Sequence, residues 1–197
     1  MAKNKIFSVA VSLVIVASLA SLGQADVVGK SLMQELANHF QQFGAATLCV
    51  ADQFDDTDVP GKVDKVIAEG IGYLKQFLGK TLSNEEYIKQ SILVIKTAAA
   101  NIGRTHEKCE KVPADYVASN TPANGSEVLA TGKVLLKVSE NLSCVVQRGD
   151  ATALDKVPFF FAKTITNAAS DESDKQVNKL FKHKMVLAND LGGLASC

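Results

Sequence analysis

Histidines, cysteines, clustered acids and hydroxyls are the side chains with which a chain of this size could do chemistry. Their spacing here argues against most of it. His39, His106 and His183 stand far apart, none with a second histidine one helical turn away. A zinc-protease helix needs two histidines four residues apart, and His106-Glu107 supplies one. Asp52, Asp55, Asp56 and Asp58 share only composition with a calcium loop. The ordered ligand positions, the central glycine and the terminal glutamate are missing, so a solvated turn whose acids cap a helix is expected. Neither a Gly-rich phosphate loop, nor a Gly-x-Ser-x-Gly elbow, nor a glycosidase-like carboxylate pair is present. No metal, no cofactor and no catalytic residue is therefore expected, and the chain reads as non-enzymatic.

Cys49, Cys109, Cys144 and Cys197 would be poor nucleophiles, because the start of the chain directs it to an oxidising compartment. Lys3 and Lys5 precede an apolar run from Ile6 through Leu22 interrupted only by serines, and Gly23 and Ala25 are small. This is the pattern of a secretory signal peptide, residues 1–25, cleaved most simply before Asp26, with a cut after Ala20 as the alternative. The four cysteines are then expected to form two disulfides, and the localisation to be secreted, extracellular. Two N-glycosylation sequons fit that route, at Asn124 and Asn141. Asn124 is the better acceptor, since Pro122 and Gly125 mark a loop, whereas Asn141 falls in a helical pattern.

Loss of Lys3 and Lys5 leaves 19 Lys and Arg against 21 Asp and Glu. A chain of that balance, without a basic tract, has no means of neutralising a phosphate backbone, so nucleic acid is not a partner. No apolar stretch beyond residue 25 is long enough for a bilayer, and stable membrane insertion is not expected.

The elements that must position these residues are helices throughout, for apolar residues recur at helical spacing and no stretch sustains two-residue alternation. The fold class is all-α, with about six amphipathic helices. The first covers Val27 to Ala51, its stripe Val28, Leu32, Leu36, Phe40, Phe43, Thr47 and Val50. Asp58 and Pro60 begin the second, with Val63, Ile67, Ile71, Leu74 and Leu78 inward and Gly79 as its end. Ser83 and Glu86 form a capping box for the third, which carries Ile88, Ile92, Ile95, Ala99 and Ile102 towards Cys109. Residues 110–125 hold Pro113, Asn120, Pro122 and Asn124 and read as a linker with one helical turn at Ala114 to Ala118. Val128, Leu135, Val138, Leu142 and Val145 mark a fourth helix through Cys144. A fifth begins near Asp155, with Pro158 in its first turn. The sixth is capped by Asp171 or Ser173 and has Val177, Leu180, Phe181, Met185 and Leu191 as its stripe, with Lys175, Lys179 and Lys182 on the other side and His183 and Lys184 nearby.

The two halves resemble each other. Cys49 to Thr57 can be laid beside Cys144 to Thr152 with one gap, and the cysteine spacings are 60 and 53 residues. Two up-down-up three-helix units, 26–109 and 126–197, would bring the ends of their first and third helices to one pole and pair Cys49 with Cys109 and Cys144 with Cys197. Four cysteines allow three connectivities, and the other two remain open at this point.

Phe159, Phe160 and Phe161 are the residues most informative about binding. Three consecutive helical positions point about 100 degrees apart and cannot all face one core. Packing between the units, the lining of an apolar-ligand pocket and an exposed partner-binding patch are the three uses open to them. The functional expectation is a secreted binding or interaction protein whose partner is an extracellular protein or an apolar small ligand such as a fatty acid. A membrane-active defence protein, resting on the lysines of the sixth helix, is a further alternative.

Overall fold

The computed structural model describes residues 29–76, 80–119, 123–171 and 176–195. The leader, Leu78, Gly79, Pro122, Ser173, Lys175 and Cys197 lie outside the described residues. Among those described, the chain is all-helical without a strand: α1 (Lys30–Asp52), α2 (Val59–Lys75), α3 (Asn84–Gly103), α4 (Ser126–Arg148), α5 (Ala151–Ser170) and α6 (Gln176–Ala195), with short 3-10 turns at Glu107–Cys109 and Ala123–Gly125.

Helices α1 and α4 form the axis of the molecule. Their contacts run in opposite senses: Gln34 Nε2 donates to Ser143 Oγ, Ser139 Oγ donates to the Ala37 carbonyl, Gly44 meets Leu136, and Leu48 meets Gly132. The approach is close because each helix presents a glycine at the crossing. A Cβ on Gly44 would lie 2.7 Å from Leu136 and 3.1 Å from the Gly132 carbonyl oxygen, and one on Gly132 would lie 2.8 Å from Leu48. With α3 packed against another of its sides, α1 is buried at every position from Phe43 to Ala51. The sequence stripe of α1 is interior from Leu36 onward, with Leu32 half-buried and Val28 outside the described residues, but it is too narrow. Met33, Ala37 and Leu48 are also interior, as a helix covered on several faces requires.

Local chemistry sets the helix ends. Ser83 and Glu86 form the expected capping box, with Glu86 N–H donating to Ser83 Oγ and Ser83 N–H to Glu86 Oε2. Gly149 ends α4 in the left-handed conformation, φ 68°, where a side chain would be strained. Asp150 then caps α5 by accepting the Thr152 N–H at 2.9 Å. This corrects the expected start near Asp155: α5 begins a turn earlier, and Pro158 lies inside it rather than in its first turn. The segment after Cys109 also differs from expectation. In place of the expected helical turn at 114–118, a single hydrogen-bonded turn spans 113–116, with Tyr116 N–H donating to the Pro113 carbonyl at 3.1 Å. Val112 is buried and its carbonyl accepts from Gln42 Nε2, while Tyr116 Oη and Ser119 N–H donate to Asp52 Oδ2. Residues 110–119 thus lie along the C-terminal end of α1.

The face of α6 is a further correction. Its buried residues are Val177, His183, Lys184, Leu187, Ala188 and Leu191, whereas Met185 is 38 % exposed. The stripe passes through Lys184 at three- and four-residue steps, and a hydrophobicity-based choice of Met185 shifted it by one position.

The two halves match in the lengths of their first and third helices, while the second helices differ, 17 residues in α2 against 20 in α5. Helices α1 and α4 have 23 residues each, and α3 and α6 have 20 each. Their packing matches too: α1 lies on α3 as α4 lies on α6, and α2 on α3 as α5 on α6. Both halves contribute to one continuous hydrophobic core. Cys49, near the end of α1, is bonded to Cys109, just past α3, as the common-pole argument predicts.

Candidate functional site

The phenylalanine run divides by direction. Phe161 is 2 % exposed and its ring lies 5.7 Å from that of Phe40 on α1, joining the halves across the core. Phe159 is 41 % exposed, and Phe160, half-buried, meets it edge-on at 5.7 Å. The helix geometry that forbids a common direction thus gives one core residue, one rim residue and one outward residue.

The sequons separate in the same way. Asn124 is exposed, its amide donating to the Phe54 carbonyl at 3.3 Å. Asn141 is buried inside α4, and its Nδ2 donates to the Ala188 carbonyl of α6 at 2.7 Å. Among the cysteines, Cys144 is disulfide-bonded and half-buried.

The acidic break between α1 and α2 is held by its own surroundings. Asp52 accepts from Tyr116 and Ser119; burial first, and then the bond to Asp52, push the Tyr116 phenol up to about 12. Asp56 accepts the Asp58 N–H and lies 3.8 Å from His106. Among the described residues, no three His, Cys, Asp or Glu side chains are grouped to hold a metal.

Two polar clusters were not legible in the sequence. One is interior. Lys184 is 6 % exposed, its Nζ 5.2 Å from the Phe40 ring centroid, and burial pushes its amine down to about 8. The aromatic face partly replaces lost water around the cation. Beside it His183 Nε2 lies 2.8 Å from Asp171 Oδ2, which also accepts from Lys182 at 3.1 Å. These contacts tie α6 to the turn after α5, with Lys163 and Asp190 adding a second α5–α6 pair at 2.9 Å.

The other cluster is an open cleft of about 300 Å³ between α2 and the C-terminal end of α3. Lys62, Lys65, Val66 and Glu69 line it from one face of α2, at positions i, i+3, i+4 and i+7. Asn101 lines it from α3, and Arg104 and Thr105 line it from the turn just past the end of α3. Three cations thus face one carboxylate. Asn101 Oδ1 accepts from Arg104 Nη1 at 3.3 Å, which helps to orient the guanidinium. The lysine pairs are slack: Lys62 is 3.9 Å from Asp58, and Lys65 is 4.0 Å from Glu69. Elsewhere Lys89 and Glu85 close to 2.6 Å. At such separations the ammonium protons are not committed to hydrogen bonds. The spacing of Lys62 and Lys65 was visible in the sequence; the tertiary placement of Arg104 opposite them was not.

No family model, no characterised protein and no solved structure matches the chain significantly.

Proposed function

We propose that the chain is a secreted, non-enzymatic helical binding protein, processed before Asp26 and built from two disulfide-closed three-helix units, 26–109 and 126–197, joined by 110–125. The matched lengths of the first and third helices and the matched packing of the halves support the duplication, and Cys49–Cys109 supports its disulfide scheme. Cys144–Cys197 completes that scheme. Of the two sequons, Asn124 is the glycan acceptor, because modification of the buried Asn141 would break its bond to Ala188.

The observation that carries the binding reading is the α2–α3 cleft: an accessible concavity in which cations outnumber carboxylates and are only slackly paired. Asp52, Asp150, Asp171 and His183 elsewhere are engaged in a cap, turns and inter-segment bonds, which is the work of a scaffold. Purification of the secreted protein followed by gentle denaturation and mass analysis of the released small molecules tests the reading. A stoichiometric molecule recovered chemically unchanged supports it; turnover of an added molecule would contradict it.

A second reading, a carrier of an apolar small molecule such as a fatty acid, has Phe159 and Phe160 in its favour. Uptake of a fluorescent fatty acid, lost in Phe159→Ser without a change in melting, is the result that would favour it.

A further inference from the structure

We infer that the α2–α3 cleft receives a phosphate monoester, a small dianion bearing an apolar group. This rests on the reading of the chain as a binding protein and names the ligand chemistry of that site. Lys62, Lys65 and Arg104 against Glu69 leave two surplus positive charges within the cleft, and one once Asp58, 3.9 Å from Lys62, is counted; a monoester of charge near −2 takes up that surplus and gains more from the three cations than a singly charged carboxylate or sulfate ester. The donors suit a tetrahedral oxyanion. Arg104 offers a planar fork held by Asn101, the two ammonium groups are point charges on the facing helix, and the Asn101 amide adds neutral donors.

Charge alone would give only a screened surface patch; the concavity makes it a receptor. Val66 lies between the lysines and Glu69 on α2, where it supplies apolar wall for the organic part of the ester. A volume of about 300 Å³ matches a small ligand rather than a polymer. Glu69 opposes an anion, so its removal should tighten binding. That gives the proposal a gain of affinity as well as losses.

The test is titration of the full secreted chain with phenyl phosphate, phenyl sulfate and benzyl alcohol by calorimetry, with flotation on phosphatidic acid vesicles as a parallel arm. Phenyl phosphate should bind saturably, the sulfate more weakly, and the alcohol not at all. Lys62→Ala with Lys65→Ala, and Arg104→Ala alone, should each weaken the phosphate by about tenfold or more, the range of charge-assisted hydrogen bonds. Lys89→Ala, whose pair lies outside the cleft, should change nothing, and Glu69→Gln should tighten binding a few-fold. Circular dichroism of each variant separates loss of site from loss of fold. Cation-dependent binding in either arm supports the phosphomonoester chemistry, and the arm that binds identifies a free metabolite or a lipid headgroup as its source. Equal affinity for sulfate and phosphate, or phosphate binding indifferent to Arg104→Ala and Glu69→Gln, overturns the ligand class. The co-purified molecule described above decides the binding reading separately.

Discussion

Lys184 shows how one side chain can cost stability yet keep its place. Burial holds its amine at about 8, below its ordinary 10.5, so the native state binds fewer protons than the unfolded chain between those values. Stability contributed through this group must therefore rise as pH climbs from about 8 to 10.5, and its cost is fully present below pH 8. The gap amounts to something on the order of 3 kcal/mol at neutral pH, before the Phe40 contact is considered. Lys184→Met is expected to raise stability at pH 7 and to flatten that alkaline rise, as read from urea unfolding at a series of pH values. A variant that unfolds more easily at pH 7 would show that the lysine is needed for more than space. The same scale separates the phenylalanines. Phe161→Ala removes a ring packed on Phe40 and should cost roughly 3 to 5 kcal/mol. Phe159→Ser should leave the melting temperature nearly unchanged, since the side chain is already 41 % exposed.

At the level of elements, the crossing of α1 and α4 leaves no room for a side chain at either of its glycines. Gly132→Ala puts a methyl into Leu48 and near its backbone nitrogen, 3.1 Å away, where only the side chain has room to yield. Overpacking of this kind is expected to cost about 1 to 3 kcal/mol, and thermal unfolding of Gly132→Ala and Gly44→Ala checks it. By comparison, Ser83→Ala loses an exposed capping box and should cost about 1 kcal/mol.

These elements also show where the sequence was legible. Ser83 with Glu86 announced α3, and Ile88, Ile92, Ile95, Ala99 and Ile102 announced its inward face, because capping and amphipathic periodicity are local properties. The start of α5 was missed because Asp150 was read as part of a break, although the same carboxylate that ends one segment can cap the next. On α6, Val177, Leu180 and Leu191 were read correctly; Met185 was misplaced because hydrophobicity was trusted there, while the packing places Lys184 inward over Phe40. Neither the glycine crossing nor the Arg104 side of the cleft could be read in advance. Both depend on residues from helices far apart in sequence, and periodicity fixes a helix's face without naming what it meets.

On the scale of the whole molecule, one core joins both halves, so the Cys49–Cys109 disulfide braces a single structure. Cys49–Cys109 closes a separation of 60 residues, for which chain-entropy reasoning gives roughly 4 kcal/mol. Replacing both cysteines by serine should lower the melting temperature of the entire protein in one transition, with far-ultraviolet and near-ultraviolet dichroism changing together. Separate transitions would show the halves to be independent.

The account of a processed, doubly bridged binding protein meets its most direct test in native mass spectrometry of the chain as it is secreted. The account predicts a mass beginning at Asp26, no free thiol, a glycan confined to Asn124 where the host adds one, and a small anionic adduct. That adduct should disappear in Lys62→Ala/Lys65→Ala. A species retaining residues 1–25 with reduced cysteines, or one whose adduct survives the loss of both lysines, would contradict it.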